Sequence, residues 1–264
     1  MIAALAVLLV SADLPAVDSL AEARRALTAG RIEQAQLMAD AASASGTTGV
    51  IIDRLRADLA YAAGHDDEAA RRYESLLAIT PGDATIAEHA GLAALRLGDA
   101  SRAARLLALA TAQANASWRA WNGLGALADA TGDWAAADAA FDHAQRIAPN
   151  EPALLNNRGW SQLLRGNWPA ALPLLEAAAA AAPQDRRMAN NLELARAGLA
   201  GQLPLRRPGE VDRLWAARLN DAGMAALARH DRTRAVAAFA RAIVARNEWY
   251  ERASNNLAQA QAFP

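Results

Sequence analysis

Apolar residues along this chain return at steps of three and four, and the phase of that pattern resets at regular intervals. From Trp118 onward, Trp121, Leu124 and Leu127 mark one face of a helix, and Trp134, Ala137 and Phe141 mark a face of a second. Such spacing keeps the large apolar residues on one side of a helix of about 3.6 residues per turn, so each segment reads as amphipathic. Between the two stand Gly132 and Asp133, a turn and then an N-cap for the second helix, and Pro149 closes the unit. The pattern predicts helix pairs throughout.

The pairs repeat. Gly30, Gly64, Gly98, Gly132 and Gly166 are spaced by 34 residues, and so are Ala35, Ala69, Ala103, Ala137 and Ala171. Ala42, Leu76, Ala110, Ala144 and Ala178 form a third series, and Pro81, Pro149 and Pro183 share the frame. These series define five repeats: Ala16 to Gly49, Val50 to Asp83, Ala84 to Ser117, Trp118 to Glu151 and Pro152 to Asp185. Small residues at Gly125, Ala137 and Ala144 are expected to bring neighbouring helices near the short end of the usual ~8–10 Å separation. One pair cannot bury its apolar face alone, so successive units are expected to stack around a shared core.

Regularity lapses after Asp185. The stretch RRMANNLELARAGLA reads as a first helix with no second helix behind it, and residues 200–209, with Pro204 and Pro208, read as a linker. A helix resumes near Glu210, and a sixth repeat fits Ala216 to Trp249, with His230 standing where the turn glycine belongs. The tail ERASNNLAQAQAF reads as a capping helix. The expected organisation is an apolar segment over 1–12, a repeat array over 16–199, a linker over 200–209 and a C-terminal repeat with its cap over 210–264.

Trp121, Leu124, Gly125, Ala137, Phe141 and Pro149 stand at the offsets of the tetratricopeptide repeat, a family the chain resembles. The resemblance implies an all-α solenoid of helix pairs, wound as a right-handed superhelix, whose first helices line a concave face and hold a peptide or helix of a partner. Carried over residue by residue, the reaching positions are Arg54, Asp58, Glu88, Arg96, Arg119, Asn122, Asp129, Asn156, Asn157, Trp160, Arg187, Asn190, Asn191 and Leu194. The richest set, and the candidate peptide-binding surface, is Arg119, Asn122, Asn156, Asn157, Trp160, Arg187, Asn190 and Asn191. An amide side chain both donates and accepts, so it pairs with a main chain of any sequence. Trp160 would anchor an apolar group, and Arg119 or Arg187 a carboxylate. On the alternative reading the paired asparagines belong to the repeat frame and Trp160 packs on the next helix. Trp134 and Trp168 open second helices and are expected in the core on either reading.

The run from Asn156 to Gly201, within a region of about 118–200, also resembles the tetratricopeptide proteins of Tad/Flp pilus assembly. That resemblance implies a role at the bacterial cell envelope, in secretion or pilus assembly. Such proteins are often lipid-anchored through a cysteine, and this chain has none, so the version implied is a periplasmic one associated peripherally with envelope machinery.

Composition narrows the remaining classes. At 53% hydrophobic and 21% charged over 264 residues the chain is globular in composition. Its net charge is -1 and its basic residues, all arginine, are scattered, which argues against a nucleic-acid partner. Zero cysteines remove disulfides, thiolate metal sites and a cysteine nucleophile. The opening MIAALAVLLVSA is too short to span a bilayer. It reads either as an export signal cleaved after Ala12 or as a short apolar helix packing on the first repeat.

His65, His89, His143 and His230 share no metal-ligand spacing. The run GLGALA at Gly123 lacks the third glycine of a dinucleotide loop, and Ser161 is not in a nucleophile elbow. No catalytic residue, cofactor or metal is expected. The reading is a non-enzymatic scaffold for a protein or peptide, with two alternatives: a cytoplasmic adaptor or regulator, and a protein that self-associates into a homo-oligomer.

Overall fold

The computed structural model describes residues 16–246 and 250–262; the two readings of residues 1–12 lie outside them. The described residues form fourteen helices and no strand. In chain order these are α1 (Ala16–Thr28), α2 (Ile32–Ala44), α3 (Val50–Ala62), α4 (Asp66–Ile79), α5 (Ala84–Arg96), α6 (Ala100–Thr111) and α7 (Trp118–Thr131). They continue as α8 (Trp134–Ile147), α9 (Pro152–Leu164), α10 (Trp168–Ala181), α11 (Arg186–Leu199), α12 (Asp212–Ala228), α13 (Arg232–Ala245) and α14 (Glu251–Ala262). First helices from α1 to α11 begin every 34 residues, and so do second helices from α2 to α10, so the sequence frame is carried into the backbone.

The helices form two compact units, divided after Ala116. In the first, α1 packs on α2 and α3, and α3 to α6 pack in succession. Its core includes Leu20, Ala35, Ala39, Ile52, Leu55 and Leu59. In the second, α7 pairs with α8, α9 with α10 and α12 with α13, and α11 lies between α10 and α12.

Four of the helix pairs, α5/α6, α7/α8, α9/α10 and α12/α13, carry the same internal lock. A Cβ added to Gly91, Gly125, Gly159 or Gly223 would lie 2.7, 2.6, 2.6 or 2.4 Å from the side chain of Leu107, Phe141, Leu175 or Phe239 respectively. A missing side chain on the first helix therefore receives a large one from the second, the close packing that small residues permit. In α11 the equivalent place, seven residues into the helix, is held by Glu193, whose carboxylate is bound by Arg207 and Arg218. A charged side chain held in that way leaves no seat for a second helix. Residues 202–206 instead run without helix, Leu203 packs against the core of Leu163, Trp168, Leu175 and Leu194, and α12 packs on both α11 and α9. The C-terminal pair is thus seated on the preceding repeats of its unit. A Cβ on Gly166 would lie 2.4 Å from the Ala228 carbonyl oxygen, and Arg229 donates to the Gly198 carbonyl at 2.6 Å.

The turns follow the glycine series. Gly30, Gly64, Gly98, Gly132 and Gly166 all have φ between 73° and 78°, and His230 takes the same left-handed conformation at φ 58°. After three of these turns the N-cap carboxylates of Asp99, Asp133 and Asp231 accept from backbone N–H groups three residues on. A residue with a Cβ in this conformation is strained by roughly 1–2 kcal/mol. His230→Gly is therefore expected to raise stability by about 1 kcal/mol after glycine's own entropic cost, a gain of about 2–4 °C in Tm. Thermal melts of the two proteins check this, and an unchanged or lower Tm would show that His230 is not strained.

Trp168 is core, at 2% exposed, as its position predicts. Trp134 is not: it is half-buried, with the Arg165 guanidinium 5.2 Å from its ring centre. That guanidinium is held by a two-pronged ion pair to Asp138 on the same helix as Trp134, so a cation over the ring face replaces the packing expected there.

Candidate functional site

All eight candidate residues fall in the second unit: Arg119 and Asn122 on α7, Asn156, Asn157 and Trp160 on α9, and Arg187, Asn190 and Asn191 on α11. The 34-residue frame sets Asn122, Asn156 and Asn190 at one place in their helices, with Asn157 and Asn191 one residue further on. This offset brings amides of successive first helices together. Asn191 Nδ2 donates to Asn156 Oδ1 at 2.9 Å, Asn156 Nδ2 to Asn157 Oδ1 at 3.4 Å, and Asn157 Nδ2 to Asn122 Oδ1 at 3.1 Å. The C-terminal repeat makes the same step, with Asn256 Nδ2 donating to Asn220 Oδ1 at 2.9 Å. Linked amides polarise one another, so the ladder ties the first helices together by more than isolated pairs would.

Each amide has two N–H donors and an oxygen with two lone pairs, and the ladder uses only part of that capacity. Asn156 is 1% exposed, and its role is internal, linking α9 to α11. Asn122, Asn157, Asn190 and Asn191 are half-buried. The half-buried Trp160 packs against the core of Leu163, Trp168, Ala171, Leu175 and Leu194, so its ring forms part of the wall of this face. Arg119 and Arg187 are exposed, and the Arg119 guanidinium lies 4.6 Å from the ring centre of Trp118.

Asp129, also among the reaching positions, is buried and accepts from the Ser161 hydroxyl at 2.7 Å, joining α7 to α9. Burial raises its pKa, against the opposing Ser161 hydrogen bond and Arg165 charge. Hydrogen bonds from Arg165 hold Asp138 below its ordinary value.

Sequence reasoning missed a polar cluster in the first unit. Tyr73 Oη donates to Asp58 Oδ1 at 2.6 Å, and His89 Nδ1 lies 3.6 Å from the same oxygen. Tyr61 stacks on the His89 ring at 5.3 Å, under an Arg96 guanidinium 3.9 Å from its centre. Burial works to raise the pKa of Asp58, but contacts with His89 and the Tyr73 hydroxyl overcome it and leave the carboxyl below its ordinary value. Asp58 and Arg96 were visible as reaching positions in the 34-residue frame; Tyr61 and His89, which lie between them in space, carry no motif. The other histidines have structural places as well: His65 precedes α4, His143 stacks on Trp121 at 4.2 Å, and His230 forms a turn. Among the described residues no group of three or more His, Cys, Asp or Glu is placed to hold a metal ion, and no helix is long and apolar enough to cross a membrane.

A family model described as tetratricopeptide repeat matches residues 89–152. No curated protein matches the sequence. Several solved structures share the fold. One is the APC/C hetero-tetramer Cut9–Hcn1, at 14% identity and TM-score 0.66, covering 93% of this chain and 52% of that chain; the present chain spans about half the length of that relative. PilW, a widely conserved type IV pilus biogenesis factor, is similar at 16% identity and TM-score 0.57, covering 93% of this chain and 100% of that one. PilF of Pseudomonas aeruginosa is similar at 15% identity and TM-score 0.56, covering 94% and 96%. With the matched segment, the 34-residue frame and the locked helix pairs in agreement, the described residues have the all-helical fold of tetratricopeptide-repeat proteins, and residues 89–152 match that family's model.

Proposed function

We propose that this protein is a non-catalytic scaffold whose second unit holds a segment of a protein partner against α7, α9 and α11, at the bacterial cell envelope and in secretion or pilus assembly. The observation that carries the reading is the amide ladder, which keeps Asn122, Asn157 and Asn191 in fixed orientation with donors or acceptors to spare. A guest main chain needs such groups whatever its sequence. The exposed Arg119 and Arg187, at the starts of α7 and α11, suit carboxylates on the guest. The envelope setting is supported by the apolar run of residues 1–10 and by the fold shared along nearly the full length of PilW and PilF.

A photo-crosslinking residue at Arg119 or Arg187, in the full chain expressed in its own host, tests both parts. The expected result is a discrete adduct with an envelope protein from either position and none from Arg146, an exposed site on the second helix α8. Equal adducts from Arg146 would remove this face as the binding surface, and adducts with cytoplasmic proteins alone would remove the envelope setting.

A further inference from the structure

The amide ladder has a break. In three places the second asparagine position of one first helix donates to the first asparagine position of the preceding one: Asn157 to Asn122, Asn191 to Asn156 and Asn256 to Asn220. The step that would join α12 to α11 requires a donor opposite Asn190. At that place, one residue after Asn220, α12 carries Asp221. Asn190 Oδ1 is buried and has no hydrogen-bond partner. It shares with Asp221 a small cavity that is also lined by Asn191, Leu194, Pro204 and Arg218. Two acceptors thus line one cavity where the ladder needs a donor, and a buried acceptor left unpaired, as Asn190 Oδ1 is, is costly.

The cavity has a volume of about 10 Å³, room for one water-sized group. Its walls include the apolar Leu194 and Pro204, and its size admits the head of a charged side chain while the stem would have to lie outside it. Arg218 contributes little free positive charge, because its guanidinium is held by Glu193, Glu210 and the Leu205 carbonyl. Burial raises the pKa of Asp221, and the Asn220 side chain and the Arg252 charge offset this only in part. Its carboxylate is therefore under-compensated as it stands.

We infer that the gap between Asn190 and Asp221 is a binding site for a primary ammonium group, supplied by a lysine side chain of the bound partner. An ammonium carries three donors and no acceptor, so it satisfies the orphaned amide oxygen and the carboxylate together. The lysine assignment rests on the reading that this face holds a protein segment; the ammonium site itself does not.

The test uses acetyl-Gly-Lys-Gly-amide and its norleucine counterpart, titrated into the full chain and followed by NMR at the Leu194 methyls and the Asn190 and Asn191 side-chain amides. The lysine peptide is expected to bind about tenfold more tightly, as one charge-assisted contact implies. Asp221→Asn places a donor opposite Asn190 and completes the ladder, so this variant should melt higher than the parent and lose the preference. Asn190→Ala should lower the preference without a rise in Tm, and serves where the first variant fails to fold. Equal binding of the two peptides, or a preference that survives Asp221→Asn, overturns the site. A gap that holds only water gives a raised Tm in Asp221→Asn with no lysine preference in the parent, which also overturns it. Crosslinks from Arg119 or Arg187 would stand in either case, so loss of the ammonium site and loss of the binding face are separate results.

Discussion

Glu210→Ala is expected to lower stability by about 3 kcal/mol, the low end of the range for a buried ion pair deprived of one partner. Both carboxylate oxygens of Glu210 accept from Arg218 Nη1 at 2.8 Å, and the two side chains are only 6% and 7% exposed. With the carboxylate gone, a buried guanidinium keeps Glu193 and the Leu205 carbonyl but loses its most enclosed counter-charge. Burial works to raise the pKa of Glu210, and its bonds from Arg218 and from the Arg207 backbone N–H overcome that and hold it below the ordinary glutamate value. A depressed carboxyl contributes stability that is present above its unfolded value and lost as pH falls through the folded one. The parent should therefore lose an acid-side increment that Glu210→Gln never has. Urea unfolding at pH 7 and at pH 4 measures both effects. Glu176→Ala, which removes the exposed partner of Arg196, should change stability by no more than about 0.5 kcal/mol. If Glu210→Ala matched that control, Arg218 would have to find water in the folded state, and the buried pair would not be what seats α12.

Gly198→Ala should be nearly as damaging, at about 2–3 kcal/mol, from overpacking. An added Cβ would lie 1.9, 2.4 and 2.6 Å from ring atoms of Trp168. That indole is 2% exposed, packed among Leu163, Leu175 and Leu194 and capped by the Arg229 guanidinium 5.2 Å from its centre, so it has nowhere to retreat. Gly82→Ala, where an added Cβ meets nothing within 4 Å, is the matched control and should be close to neutral. Gly198→Ala combined with Trp168→Phe should recover part of the loss, since a smaller ring yields the space. Equal urea midpoints for the two single variants would show that α10 and α11 separate freely.

These contrasts mark what the sequence made legible. A repeat period is visible because successive units solve the same packing problem with similar residues, so the turn glycines, the Asp133 cap and the small residue at Gly125 could be read from it. His230 was legible for the same reason: a residue in the glycine place must adopt the glycine conformation, and it does at φ 58°. Interactions between repeats were harder to read. Asn157 could be seen as a residue that reaches a guest, but that its Nδ2 meets Asn122 Oδ1 depends on the stacking offset of two helices 35 positions apart. Glu193 stood 34 residues after Gly159, at the place that Gly91, Gly125 and Gly159 hold in their helices. Its meaning required the two arginines that hold it, and both arrive from sequence beyond its own helix. Trp134 was misplaced because its position predicts burial by a neighbouring helix, whereas Arg165 takes that place by a charge–ring contact that periodicity does not encode.

The amide ladder also has a heading. Asn191 donates to Asn156, Asn156 to Asn157 and Asn157 to Asn122, so every link runs from the later helix to the earlier, or along α9 in the same sense. The amide dipoles consequently add instead of cancelling, leaving N–H capacity at the Asn122 end and oxygen capacity at the Asn191 end. A main chain laid along this row has a polarity of its own. On the proposed binding role, the two would match in one orientation and clash in the other, so this face would also select which way round a guest lies.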